Sequence, residues 1–147
     1  MIESAIKKLF LYYYLVFVLL ILTAVLGHFL SLKLAIDTNS ARGVSAQTFS
    51  IFILLIFIPS ALKIFSVKVN KLSKNEDLNI IDKINKYVFW SNIRLAMIAF
   101  SLLINVLFYY LIQNNSMLFC AAISAVAVLF CRPKKDKMLE ELNITEE

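Results

Sequence analysis

Four apolar runs separated by short polar stretches organise this chain. They cover about Leu9–Leu32, Thr48–Val67, Val88–Ile112 and Met117–Cys131. The hydrocarbon core of a bilayer takes about 20 apolar residues per helix. The first run, at 1.5 Å per residue, reaches about 36 Å and crosses with tilt. The fourth reaches only about 23 Å, so it borrows from its flanks. Tyr12, Tyr13 and Tyr14 at the start of the first run, and Trp90 and Tyr109–Tyr110 at the two ends of the third, suit aromatic belts at a membrane interface. The linker Gln113-Asn-Asn-Ser116 is short enough to force an antiparallel hairpin.

Residues 68–86, between the second and third runs, are polar and basic. Leu78, Ile81, Ile84 and Val88, with Ile80 and Tyr87, recur at three- and four-residue spacing and predict an amphipathic helix. Asn75 is its expected N-cap, Glu76 and Asp77 fall in its first turn, and it should run straight into span 3. Pro59 removes a backbone donor in span 2 and is expected to kink it. Pro133 suits the start of a short tail helix bearing Met138, Leu139 and Leu142. The pattern predicts an all-α membrane protein forming one domain over residues 1–147. It is a four-transmembrane-helix bundle with a cytoplasmic amphipathic helix between spans 2 and 3 and a short cytoplasmic tail helix.

Composition sharpens this picture. The chain is 61% hydrophobic, well above the roughly half expected of a soluble domain, and it holds only two Gly and two Pro. Its net charge of +5 is distributed unevenly. Thirteen of the fifteen basic residues lie before span 1, between the middle of span 2 and the start of span 3, or after span 4; only Lys33 and Arg42 lie on the other side. The positive-inside rule then places both termini and the middle segment in the cytoplasm, which makes the protein multi-pass in the plasma (inner) membrane. The first run is too long for a signal-peptide core and no small-x-small cleavage site follows it, so it reads as an uncleaved helix. The basic middle segment lacks aromatic interleaving suited to nucleic acid and reads as a membrane-surface element.

All ten acidic residues fall outside the spans. Proton- and cation-coupled carriers keep an ionisable group at membrane depth, and the small multidrug carriers of this size depend on a glutamate in their first helix, which this chain lacks. His28 is the only histidine, too few ligands for a metal or haem at one depth. Its ordinary role is interfacial hydrogen bonding; a gate or ligand shared across an oligomer is the alternative. In span 3, Ser91, Arg94, Ser101 and Asn105 share one helical face with Ile98. That stripe is either the lining of a path or glue between helices, and a single amide with two hydroxyls suits glue better.

In span 4, Cys120, Ser124, Ala127 and Cys131 form a line of small residues, flanked by Ala121 and Ala125, that predicts close packing on span 3 or on another subunit. The two cysteines lie roughly 16 Å apart along the helix, too far to bond within one chain. No nucleophile elbow, zinc-protease motif or phosphate loop is present, and no cofactor follows from the sequence.

Ile81-Asp-Lys-Ile-Asn-Lys-Tyr87, Ile93-Arg-Leu-Ala96 and Leu129-Phe-Cys-Arg-Pro-Lys-Lys-Asp-Lys-Met-Leu-Glu-Glu-Leu142 together resemble a group of small four-helix bacterial integral membrane proteins of uncharacterised activity. Their shared signature is a Lys-x-x-x-Tyr entry into span 3 and an Arg-Pro-x-Lys tail after span 4. Met138 and Glu141 here replace an Ile and an Asp of that tail. The resemblance covers roughly residues 78–145. It implies four helices in a bacterial inner membrane and transfers no functional residue. Three readings follow. The first is a non-enzymatic membrane protein acting through helix packing, as a homo-oligomer or as an accessory to a larger membrane complex. The second is a small channel or transporter subunit with the span 3 stripe as its path. The third is a lipid or quinone enzyme, which lacks a nucleophile or acid–base pair at membrane depth. The lipid bilayer is a partner in all three, and nucleic acid in none.

Overall fold

The computed structural model describes residues 2–34 and 36–144. All the regular structure among them is helical: α1 (Ile2–Leu34), α2 (Ala41–Lys74), α3 (Ile80–Ile112), α4 (Asn115–Phe130) and α5 (Lys135–Leu142). The helices α1, α2 and α3 are each long and apolar enough to cross a membrane. Helix α4 has 16 residues, about 24 Å, and falls short of a hydrocarbon core of about 30 Å by itself. It qualifies only when taken with α5, from which it is bent by 73°.

Helix α3 is the hub. Its buried residues Ile84, Tyr87, Ser91, Arg94, Ile98, Ser101 and Asn105 recur at alternating three- and four-residue steps. That period of 3.5 keeps one seam facing its neighbours over the whole helix, as in a coiled coil. A second seam of Leu95, Ala99 and Leu102 serves the other side. Helices α1, α2 and α4 all pack along α3, and α2 also touches α4 and α5. Tyr13 and Val16 of α1, Ala61 of α2, and Ala121, Val128 and Cys131 of α4 close on Leu95, Ile98, Ala99 and Leu102 to form the central core. Apolar side chains such as Phe29, Phe52, Phe119 and Phe130 point outward.

The ends of the helices are built by local chemistry. Ser40 caps α2: its hydroxyl donates to the Asp37 carbonyl at 2.6 Å and accepts from the Gly43 N–H at 3.1 Å. The turn is so tight that a Cβ at Gly43 would collide with the Asp37 carbonyl oxygen. At this same end, which we call the apex, Ile36 N–H donates to the Leu111 carbonyl and Gly27 lies against Tyr110. Helix α3 stops at Gln113, whose φ of 54° gives the left-handed turn that closes a helix terminus. Asn114 caps α4 by accepting from the Ser116 N–H.

At the opposite end, the base, the expected amphipathic helix runs straight into span 3 as the first part of α3, but it starts later than Asn75. Helix α2 continues unbroken through Pro59 to Lys74, and Asn75 is its C-cap rather than the N-cap of a new helix. Helix α3 begins at Ile80, after Asn79, which makes no side-chain cap bond. The reason lies in packing. Phe65, Val69 and Leu72 on α2 meet Ile84 and Tyr87 on α3, so two helix extensions form an apolar hairpin with only five residues between them. The tail helix is present, but starts at Lys135, two residues after Pro133. Its Met138 and Leu142 are each 1% exposed and complete this second core with Ala5 and Leu9 of α1. Burying each from water contributes roughly 1.5–3 kcal/mol, which accounts for docking of an eight-residue helix too short to be stable alone.

Candidate functional site: an apical polar knot and a buried arginine at the base

Two groups of polar side chains lie inside the bundle. The first is in the apical third of the bundle, near the start of α2 and the end of α3. Asn105 is fully buried and accepts a hydrogen bond from the Ser50 hydroxyl of α2 at 2.5 Å. Its amide donates to the Ser101 carbonyl at 2.7 Å and approaches the Ser101 hydroxyl at 3.5 Å. Ser50, Ser101 and Ser124 are fully buried as well. Ser124 donates to the Cys120 carbonyl one turn earlier in α4, the back-bond that satisfies a serine inside an apolar helix. An amide in an apolar interior is costly unless it is bonded, and here both its donor and its acceptor functions are used.

The expectation that Ser101 and Asn105 share a face is met, and so is its extension to Ser91 and Arg94, all of which are buried. The cross-helix partner, however, is α2. Ser50 carried a readable signal, since with Leu54 and Ala61 it is buried on one face of α2 at spacings of four and seven. The small-residue line on α4 needs rotating. Its buried face is Met117, Ala121, Ser124, Val128 and Cys131, whereas Cys120 and Ala127 are only partly buried. Smallness alone had placed Cys120 and Ala127 at the centre. The core instead takes Met117 and Val128, which are 0% and 2% exposed. His28 stands apart: it is exposed at the apex, its ring 6.5 Å from that of Tyr110.

The second group is at the base. Arg94 is 9% exposed and its guanidinium carbon lies 3.8 Å above the Phe65 ring of α2. This stacked cation–π contact is worth about 2 kcal/mol when desolvated. Its Nε is buried without a hydrogen-bond partner among the described residues, as is Oδ1 of Asn92. One turn or two below, the Tyr87 hydroxyl donates to Glu141 Oε2 of α5 at 2.6 Å, and Lys137 lies 4.0 Å from Oε1. Burial, then the bond to Glu141 and the Glu141 charge, hold the Tyr87 hydroxyl in its neutral form well above its ordinary pKa, with Arg94 opposing. Asn143 donates to Ser73 at 2.8 Å and fastens the tail to α2. Outside this core, Lys68 lies 4.9 Å over the Trp90 ring. In the sequence Tyr87 belongs to the amphipathic periodicity before span 3 and Glu141 to the tail signature. Their pairing across 54 residues has no local signal.

Among the described residues, no three His, Cys, Asp or Glu side chains converge to hold a metal. Comparison with protein-family models, with curated proteins and with solved structures gave no match.

Proposed function

We propose that this is a four-span protein of the bacterial inner membrane, non-enzymatic, that acts through helix packing as an oligomer or as an accessory subunit of a larger complex. The observation that carries this reading is the polar knot in the apical third of the bundle. Asn105, the one amide deep in a span, uses its polar atoms on Ser50 and Ser101 and is fully buried. A group lining a path would face an aqueous lumen and leave hydrogen bonds for the passing species. Bonded inward, the knot sets the register of α2 on α3. The outward apolar faces of α1 and α4 suit lipid or a neighbouring subunit.

The proposed orientation has both termini in the cytoplasm. The base gathers the N-terminal part of α1, the end of α2, the start of α3 and α5, and so brings most basic residues to one end of the bundle. Reporter fusions after residues 70 and 140 should read cytoplasmic, and one after residue 42 external. A cytoplasmic signal at residue 42 would refute the topology. Mass in detergent and ion flux in liposomes test the activity: an oligomer without flux agrees with the proposal, and flux that changes with Asn105→Leu overturns it.

A further inference from the structure

A cavity of about 250 Å³ opens at the base between α2, α3 and α5. One wall is Arg94 and another is Glu141. Ser66 and Asn70 of α2 add a hydroxyl and an amide, and Leu62, Phe65 and Val69 make the apolar remainder. The two charges do not form an ion pair with each other. Glu141 is engaged by Tyr87 and Lys137, while Arg94 has only its stack on Phe65 among the described residues. Arg94 as a residue is 9% exposed and its buried Nε has no hydrogen-bond partner among the described residues, so the guanidinium has donors left over for an acceptor in the cavity. A ligand that is purely anionic would satisfy Arg94 but meet the Glu141 carboxylate. A purely cationic one would have the opposite fault. A zwitterion with a phosphate at one end and an ammonium at the other matches both walls.

We propose that this cavity binds the phosphoethanolamine headgroup of an aminophospholipid. The phosphate sits on Arg94, with Ser66 and Asn70 in reach as further donors, and the ammonium turns to the remaining lone pairs of Glu141. The lipid, rather than a soluble phosphoester, is the source because Leu62, exposed on α2, continues the cavity wall onto the outer apolar surface of the bundle, where a glycerol and acyl chains would lie. The inference rests on the reading that the bundle spans a membrane, but not on the oligomer or accessory role. Because Glu141 belongs to α5, a bound headgroup ties the tail helix to the inner end of α3.

The test is competitive lipid retention by the full-length protein, read by native mass spectrometry. The probes are dioleoyl phosphatidylethanolamine, phosphatidylglycerol, which lacks the ammonium, and phosphatidylcholine, whose ammonium cannot donate. Phosphatidylethanolamine should be retained roughly tenfold over either, the worth of one charge-assisted hydrogen bond. Glu141→Gln should erase that preference, Arg94→Gln should weaken retention of all three, and Arg132→Gln, an exposed cation near the same end, should change nothing. The wild-type competition stands even if a variant fails to fold. Equal retention of the three lipids, or a preference for phosphatidylglycerol, overturns the proposal. Soluble glycerophosphoethanolamine should not compete at equal concentration, and full competition by it would overturn the lipid as the source. The topology fusions are independent of all these outcomes, so a failed lipid preference and a failed membrane orientation are told apart.

Discussion

Removing the Ser50–Asn105 bond should cost a measurable and predictable amount. The perturbation is a double-mutant cycle of Ser50→Ala, Asn105→Ala and both. Asn105→Ala removes the 2.5 Å bond from Ser50 and the 2.7 Å bond to the Ser101 carbonyl, and empties a fully buried volume. Interhelical side-chain bonds in membranes are worth about 0.6–2 kcal/mol. The vacated volume adds on the order of 1 kcal/mol. The Ser50 hydroxyl can recover part of its loss by bonding to the carbonyl one turn earlier in α2, as Ser124 does in α4. The expected totals are about 2–3 kcal/mol for Asn105→Ala and about 1 kcal/mol for Ser50→Ala. The coupling between them should be about 1 kcal/mol, because the double variant loses their shared bond only once. Reversible unfolding in mixed micelles measures all four corners. Costs that add to within about 0.3 kcal/mol would mean that the two side chains do not interact, and the knot would no longer support the packing role.

Further outcomes follow from the same geometry. Ser124→Leu, at a fully buried α4 position, should cost about 1–3 kcal/mol by overpacking, while Ile123→Leu and Val126→Leu, both exposed, should melt like the wild type. A wild-type melting temperature for Ser124→Leu would refute the close packing of this α4 face inside the bundle. Gly43→Ala should destabilise the apex, since its Cβ would strike the Asp37 carbonyl and that atom is backbone and cannot swing aside; an unchanged melting temperature would refute the tight turn. Tyr87 gives a pH dependence. Its pKa in the folded state is raised above the unfolded value of about 10, so its contribution is fully present below that pH and is lost as pH rises through the folded value. Tyr87→Phe should therefore flatten the alkaline part of the stability difference between pH 9 and 11, and an identical slope in both proteins would sink the assignment.

Much of this architecture was legible along the chain. Blocks of apolar residues long enough for a bilayer can only be helices, because backbone polar groups in lipid must bond within their own segment. The existence of the long apolar helices follows from that constraint, and the short linker Gln113–Ser116 makes the last two an antiparallel hairpin. The inward face of α3 is legible too, since a heptad repeat of Ile84, Tyr87, Ser91, Arg94, Ile98, Ser101 and Asn105 can be counted directly.

What the repeat could not specify is which helix each face meets. Any apolar helix packs on any other at similar energy in lipid, so the partner of Asn105 is chosen by the full set of close contacts. That choice brought Ser50 to it from 55 residues away. The same holds at the base. Local spacing suggested a helix starting after Asn75, but α2 and α3 extend past the spans because Phe65, Val69 and Leu72 find Ile84 and Tyr87. The shared cavity of Arg94 and Glu141 exists only because α4 ends and the chain turns by 73° to carry α5 back under the bundle. The sequence alone determined helix, face and charge asymmetry, which depend on neighbours in the chain. The pairing of faces, and the two polar sites it creates, depend on neighbours in space and were decided only by the tertiary structure.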